Sequence, residues 1–211
     1  MDTSLNETLR TTLEDRQLLN HPFYRRWECG QLSREELTSY AEQYRYFETM
    51  LPEFLQALSE QLPHGAARDA VLDNLHDETF PPSHLDLFDR FASFYGAGDV
   101  GASPAMEKLV DAYRHVLETS PVAALAGLWA YESQGAQIAS SKAEGLRSHY
   151  GADSEAAAFW DAHWVVESDH AAWTLDALTM LARDDHEVSS AARLVGEAWW
   201  SFLDERELAS V

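Results

Sequence analysis

The sequence predicts an all-α bundle built around one core, and three observations predict it. Apolar residues recur at helical spacing over nearly the whole chain, and Ser-Pro and Ser-x-x-Glu signatures stand where helices would begin. No stretch alternates at the two-residue period of a strand. A chain of 211 residues, 45% hydrophobic and 11% aromatic, has the size and composition for one domain with a substantial core. Residues 1–211 therefore read as a single helical domain of seven to eight helices, without internal repeats.

Residues 4–19 form a short amphipathic segment ending at Asn20. His21-Pro22 opens the next turn with proline at a first helical position; Phe23, Tyr24 and Trp27 give its apolar face and Gly30 stops it. Ser33-Arg-Glu-Glu36 reads as a capping box that starts a long helix to about Leu62, which Pro52 should kink or divide. Residues 66–79 read as a helix, and Phe80-Pro-Pro-Ser83 breaks it. Ser83 caps a helix that begins at His84 and closes at Gly96. Ser103-Pro104 and Ser120-Pro121 each pair an N-cap with proline at the first helical position. The second opens a helix over about 121–149, with Gly151 as its stop. Ser154 is expected to cap a helix running to about Ala182, and a last helix covers about 186–208.

A formal net charge of −21 argues against nucleic acid or an anionic membrane surface as partner. No apolar run approaches a membrane span, and Met1 to Glu7 lacks the basic and apolar regions of a secretory signal. The single cysteine, Cys29, leaves no internal disulfide and fits a reducing compartment, so a cytoplasmic location is expected.

The chemistry concentrates in His163-Trp-Val-Val-Glu167-Ser-Asp-His170. On a helix, positions i, i+4 and i+7 place His163, Glu167 and His170 on one stripe. Phe159, Trp160, Val166, Trp173 and Leu175 flank it, so the polar groups point toward an apolar interior. Buried imidazoles and carboxylates need a partner, and a bound cation is one such partner. Glu132, set among Leu128, Trp129, Ala136 and Ala139, has the same need. Glu78 (or Asp77) and His84 face each other across the Pro-Pro break. Together Glu78, His84, Glu132, His163, Glu167 and His170 offer three carboxylates and three imidazoles from four helices, a donor set suited to iron or manganese. A thiolate zinc site is excluded by the cysteine count. Glu167-Ser-Asp-His170 is the only Glu-x-x-His pair of that kind, so the two-pair ferritin-like bundle is not expected. The ordinary alternatives are a buried tyrosine bonded to Glu132, a surface His84 and a solvated Glu78.

These stretches, with His21-Pro-Phe-Tyr24-Arg-Arg-Trp27, Asp73-Asn-Leu-His-Asp-Glu78 and Leu128-Trp-Ala-Tyr131-Glu132-Ser-Gln134, resemble the heme-oxygenase-like dimetal oxidases from about residue 9 to 205. The pattern is most similar to that family's 4-aminobenzoate-forming branch. The resemblance implies a heme-oxygenase-like helical bundle with two transition-metal ions, Fe/Fe or Fe/Mn, on the six residues above. It also implies O2 and an external reductant as co-substrates and a homodimer as the assembly. In that branch a tyrosine of the protein supplies the aromatic ring and a lysine the amino group. Tyr24 matches the sacrificed tyrosine, Lys142 the nitrogen donor, and Tyr40 and Tyr131 the tyrosines beside the site. Two positions depart from the pattern. The Glu–His spacing before His84 is one residue short, which leaves Asp77 as an alternative to Glu78, and Glu167 stands where a 4-aminobenzoate-forming member has Asp.

Glu48, one turn beyond Tyr44 on the helix from Ser33, is a candidate seventh ligand, with solvent exposure as the ordinary alternative. Three readings follow: a self-sacrificing 4-aminobenzoate synthase, a dimetal oxidase acting on a diffusible amine, amino acid or fatty acid, or a non-catalytic binding protein that kept the fold. Retention of all six ligand-type residues argues against the last.

Overall fold

Most helices begin where the chain offers an acceptor side chain or a proline, α4 after Gly65 being an exception, as the computed structural model shows over residues 3–208, the part it describes. α1 (Thr3–Thr12) is followed by two 3-10 turns, Glu14–Arg16 and Leu18–Asn20, and by the short α2 (Pro22–Glu28). Then come α3 (Arg34–Gln61), α4 (Ala66–Thr79), α5 (His84–Tyr95) and α6 (Pro104–Thr119). α7 (Pro121–His149), α8 (Ser154–Leu181) and α9 (Asp185–Leu208) complete the bundle. Among the described residues there is no strand, and the all-α expectation holds. Among the described residues there are eight α-helices besides the seven-residue α2, in keeping with the seven to eight expected.

Ser33 and Ser83 form complete capping boxes with Glu36 and Asp86, and Ser103 and Ser120 each accept an amide of the first turn ahead of their prolines. Three details differ from the sequence reading. The first helix ends at Thr12 instead of reaching residue 19, because Arg193 of α9 donates to the Thr12 carbonyl at 3.1 Å and holds Asp15 outside the helical path. α3 runs unbroken through Pro52, although position 52 has no N–H to offer the carbonyl of Glu48. The cap of α8 is Asp153, whose carboxylate accepts from Ala156 N at 2.9 Å, and Ser154 is the first helical residue.

α7 and α8 form a long antiparallel pair: Arg147 meets Asp161 near the turn, and Glu132 meets Thr174 farther along. α4 and α5 pack on α8, α9 packs on α7, and α3 crosses α4, α5 and α6. At the centre, the Tyr44 ring lies within 6.2 Å of the rings of Tyr40, Phe47, Phe88, Phe159, Trp160 and Trp199. This aromatic mass, dominant in the burial of the core, sets the walls between which polar side chains from α3, α4, α5, α7 and α8 meet. Among the described residues no helix is long and apolar enough to cross a membrane.

Candidate metal centre

The α8 stripe turns inward. His163, Glu167 and His170 are 4%, 4% and 2% exposed, whereas Trp164 and Val165 between them face outward. His163 Nδ1 lies 3.1 Å from the Phe159 carbonyl one turn earlier. Donation there leaves the Nε2 lone pair toward the interior, with Glu167 Oε1 at 3.7 Å. His170 Nε2 lies 3.0 Å from Asp77 Oδ2, an orienting contact of the imidazole–carboxylate kind.

α4 and α5 supply the opposite wall. Glu78, in the last turn of α4, is buried, and its Oε2 lies 2.9 Å from Nδ1 of His84, the first residue of α5. The two atoms are close without a well-formed hydrogen bond, so His84 Nδ1 is an orphan. One ligand-type atom each from Glu78, His84 and His163 lies within 4.8 Å of the others. Glu78 rather than Asp77 therefore stands beside His84; the partly exposed Asp77 is engaged with His170.

Glu132 comes from α7 and is held at both oxygens. Asn74 Nδ2 donates to Oε1 at 2.6 Å, and Thr174 Oγ1 donates to Oε2 at 2.7 Å. Glu48 comes from α3 and is only 2% exposed, against the solvated alternative, with no well-formed hydrogen bond at either oxygen. Glu167 Oε2 is likewise without a partner. Glu48, Glu78, Glu132, Glu167, His163 and His170 line one enclosed cavity, with Tyr44, Tyr113 and Tyr131 among the other walls. The space free to the centre of a water molecule there is about 10 Å³, room for about one water.

Four carboxylates in so small a volume oppose one another. Burial first, then the charges of Glu132, Glu78 and Glu48, holds the Glu167 carboxyl well above its ordinary range. Glu48 is raised in the same way by burial and by Glu78, and Lys142 opposes the shift. Burial raises Glu132 as well, while His170, Thr174 and Asn74 pull it back. Burial and then the neighbouring His84 push the His163 imidazole well below its usual value. Orphaned carboxylate oxygens and inward-facing imidazole nitrogens form an N/O donor set that fits iron or manganese. The lone Cys29 is exposed on the far end of α2 and contributes no thiolate.

Beside this cavity lies a second buried cluster. Lys142 of α7, 1% exposed, donates from Nζ to the Tyr40 hydroxyl, and Tyr40 is hydrogen-bonded to the Tyr24 hydroxyl at 3.1 Å. Its Nζ sits 4.1 Å from the Trp160 ring centroid, 4.5 Å from that of Tyr24 and 5.0 Å from that of Tyr44. Burial holds its amine well below the usual lysine range, against a smaller upward pull from Glu48. Tyr131 lines the cavity, whereas Tyr24, Tyr40 and Lys142 lie one ring back from it. The link is Tyr44: its hydroxyl is 2.6 Å from that of Tyr131, and its ring is stacked on Tyr40 at 5.4 Å.

Sequence reasoning did not single out Tyr44, Asn74 or Thr174 as site residues. Two of them carried a signal. Thr174 is one turn past His170 and prolongs the inward stripe, and Asn74 is one turn before Glu78 on α4.

Residues 38–203 match the family described as iron-containing redox enzymes. The chain is 34% identical to a 4-aminobenzoate synthase of Nitrosomonas europaea, over 95% of this chain and 90% of that protein. It is 31% identical to a 4-aminobenzoate synthase of Chlamydia muridarum, over 96% of this chain and 91% of that one. Among solved structures, a CADD-like protein of unknown function from Nostoc punctiforme superposes with a TM-score of 0.80 at 16% identity, covering 96% of this chain and 95% of that one. A domain with a heme oxygenase-like fold from Shewanella denitrificans gives 0.79 at 16% identity, covering 100% and 94%. The fold, the buried histidine–carboxylate cluster and these matches make the chain a member of the heme-oxygenase-like family of iron-containing redox enzymes.

Proposed function

We propose that the protein makes 4-aminobenzoate from its own Tyr24 and Lys142, with O2, which a dinuclear metal site would activate, as the oxidant. The observation that carries this reading is the placement of the Lys142 amine 4.5 Å from the centroid of the Tyr24 ring, both buried, beside a cavity that admits about one water. Pockets for small organic substrates measure hundreds of Å³, so the aromatic ring within reach is the protein's own. The relatives named 4-aminobenzoate synthases support the assignment of product.

Two iron ions, or one iron and one manganese, held by Glu78, His84, Glu132, His163, Glu167 and His170, would supply O2 activation with electrons from an external reductant. Glu48 is proposed as a further ligand on electrostatic grounds. The four carboxylates carry a formal charge of −4 when ionised, which two divalent cations balance; in the metal-free site burial drives Glu48, Glu132 and Glu167 toward protonation.

The protein's other residues then have definite roles. The aromatic walls exclude water, and burial favours the neutral Lys142 amine, whose lone pair would attack the oxidised Tyr24 ring at the carbon bearing the hydroxyl. The new C–N bond replaces the C–O bond, whose oxygen leaves as water. Release of the product breaks the Tyr24 Cα–Cβ and Lys142 Cε–N bonds, with O2 as the oxidant that takes Cβ to the carboxylate. Tyr40 accepts a hydrogen bond from Lys142 and shares one with the Tyr24 hydroxyl, which gives the phenol proton of Tyr24 a place to go. Electrons leaving the Tyr24 ring reach the cavity through Tyr40 and Tyr44, whose rings are stacked, and through the Tyr44–Tyr131 hydroxyl pair. Tethering of ring and amine replaces substrate binding with a high effective concentration, on the order of 10⁵ M or more in well-oriented cases.

The test is to supply purified protein with iron, manganese, O2 and a reductant and to quantify 4-aminobenzoate per chain. Wild type should give no more than one equivalent, Tyr24→Phe none, and Tyr44→Phe at least about tenfold slower formation at unchanged metal content. Unchanged product from Tyr24→Phe, or many turnovers with an added small molecule, would overturn the proposal in favour of a diffusible substrate.

A further inference from the structure

Gly135 lies in the middle of α7, buried, about one turn past Glu132. A glycine there weakens the helix relative to alanine, and what faces its missing side chain decides whether that cost is offset. The other buried glycines of this helix face packing groups. A Cβ at Gly127 would meet Val116 and Val195 at 3.0 Å, and one at Gly145 would meet Trp27 at 2.8 Å. At Gly135 the group opposite is the carboxylate of Glu167: a Cβ would come within 2.5 Å of Oε2, 2.6 Å of Cδ and 3.0 Å of Cγ. These distances are shorter than real Cβ contacts, so Glu167 and a side chain at 135 cannot both occupy these positions.

We infer that Gly135 is a positioning residue whose missing side chain admits the Glu167 carboxylate into the cavity, so that glycine and glutamate form a matched pair. The inference rests on the metal-site reading above in that it gives the admitted carboxylate a ligand's task. The reach of residue 167 sets how much room is needed. Glutamate extends across to the face of α7, whereas aspartate, one methylene shorter, would stop before it. Glycine opposite glutamate fills the space, alanine opposite aspartate would fill it in a different way, and alanine opposite glutamate would not fit. Because the clash falls on the far end of a flexible side chain, the fold can survive the substitution by turning Glu167 aside. The position of the ligand cannot.

The experiment compares wild type, Gly135→Ala, Glu167→Asp and the double variant, with circular dichroism as a check on folding. Crystal structures of the metal-free proteins report where residue 167 points, without any dependence on metal. Iron and manganese titrations report ions bound per chain. Gly135→Ala should remain helical, show the Glu167 carboxylate displaced from the cavity, and bind one of the two ions at least about tenfold more weakly. The double variant should return the carboxylate to the cavity and recover affinity relative to Gly135→Ala, a reversal that a general loss of stability would not produce. Glu167 unmoved in Gly135→Ala, or a double variant no better than Gly135→Ala, would overturn the pairing. Absence of metal binding by wild type would instead remove the metal-site reading, and the metal-free structures would still decide the pairing.

Discussion

Lys142 and Tyr24 share one buried compartment: the lysine Nζ lies 4.5 Å from the tyrosine ring centroid, and both are hydrogen-bonded to the hydroxyl of Tyr40. A cationic lysine would gain from the surrounding ring faces, yet among the described residues no carboxylate is hydrogen-bonded to it. Desolvation dominates, and the amine is neutral in the folded protein over a pH range where the unfolded chain protonates it.

That difference has a measurable sign. Between the depressed folded value and the ordinary lysine value near 10.4, the unfolded chain binds more protons, so this residue lowers stability as the pH falls through the window. Lys142→Met should therefore stabilise the metal-free protein at pH 7 by about 1 kcal/mol or more, roughly 2–4 °C in Tm. The gain should vanish as the pH approaches about 10.4. A lower Tm for the variant at pH 7, with an unchanged pH slope, would mean that the lysine is charged and paired.

Glu48 has the opposite sign. Its folded value is raised, so wild type loses stability as the pH rises above about 4.3, where the unfolded carboxyl ionises. Glu48→Gln should raise the Tm of the metal-free protein, with a gain that is small near pH 4.5 and grows to about 1–3 kcal/mol by pH 8. With Glu48 in its proposed role as a further ligand, the same variant should bind metal more weakly, because a neutral amide replaces a carboxylate. Thermal melts with and without iron or manganese check both halves. A variant whose melting matches wild type in both states would place Glu48 outside the site's electrostatics.

Asn74 and Thr174 act on the site through Glu132. Asn74→Ala or Thr174→Val leaves one oxygen of a buried carboxylate unsatisfied, a loss of about 1–3 kcal/mol in the metal-free protein. Loss of an orienting partner typically lowers metal affinity about 10–100-fold. Metal titration of the two variants beside wild type is the check, and affinities within twofold of wild type would show that Glu132 is held by other contacts.

Much of this arrangement was legible in the sequence where it depends on local spacing. The inward register of His163, Glu167 and His170 follows from helical periodicity, and the serine and proline caps marked most helix starts within a residue. Asp153 displaced Ser154 as a cap because both are good caps and adjacent, and only the geometry of the turn decides between them. The early end of α1 depends on Arg193, 181 residues away from Thr12, which no local pattern records. Tyr44 reads as one more core aromatic, and its hydroxyl becomes informative only when Tyr131 lies 2.6 Å from it. Gly135 reads in sequence as a helix-weakening residue with no visible reason; the reason stands on the facing helix.

Under the proposed chemistry at Tyr24, the burial of this residue would tie the reaction to the lifetime of the molecule. Its ring is 1% exposed and packs with Phe23, Tyr40 and Lys142, so a chain that had given up the ring would hold a void where a core aromatic had been. Removal of a buried aromatic side chain typically destabilises a fold by about 3–5 kcal/mol, a large share of the total for a domain. A used polypeptide would thus open more often than a fresh one and be the more readily cleaved, which pulse proteolysis of fresh and reacted protein would reveal as a faster loss of the reacted chains. The architecture that keeps water from the reaction would then also distinguish chains that have reacted from chains that have not, and clear the former first.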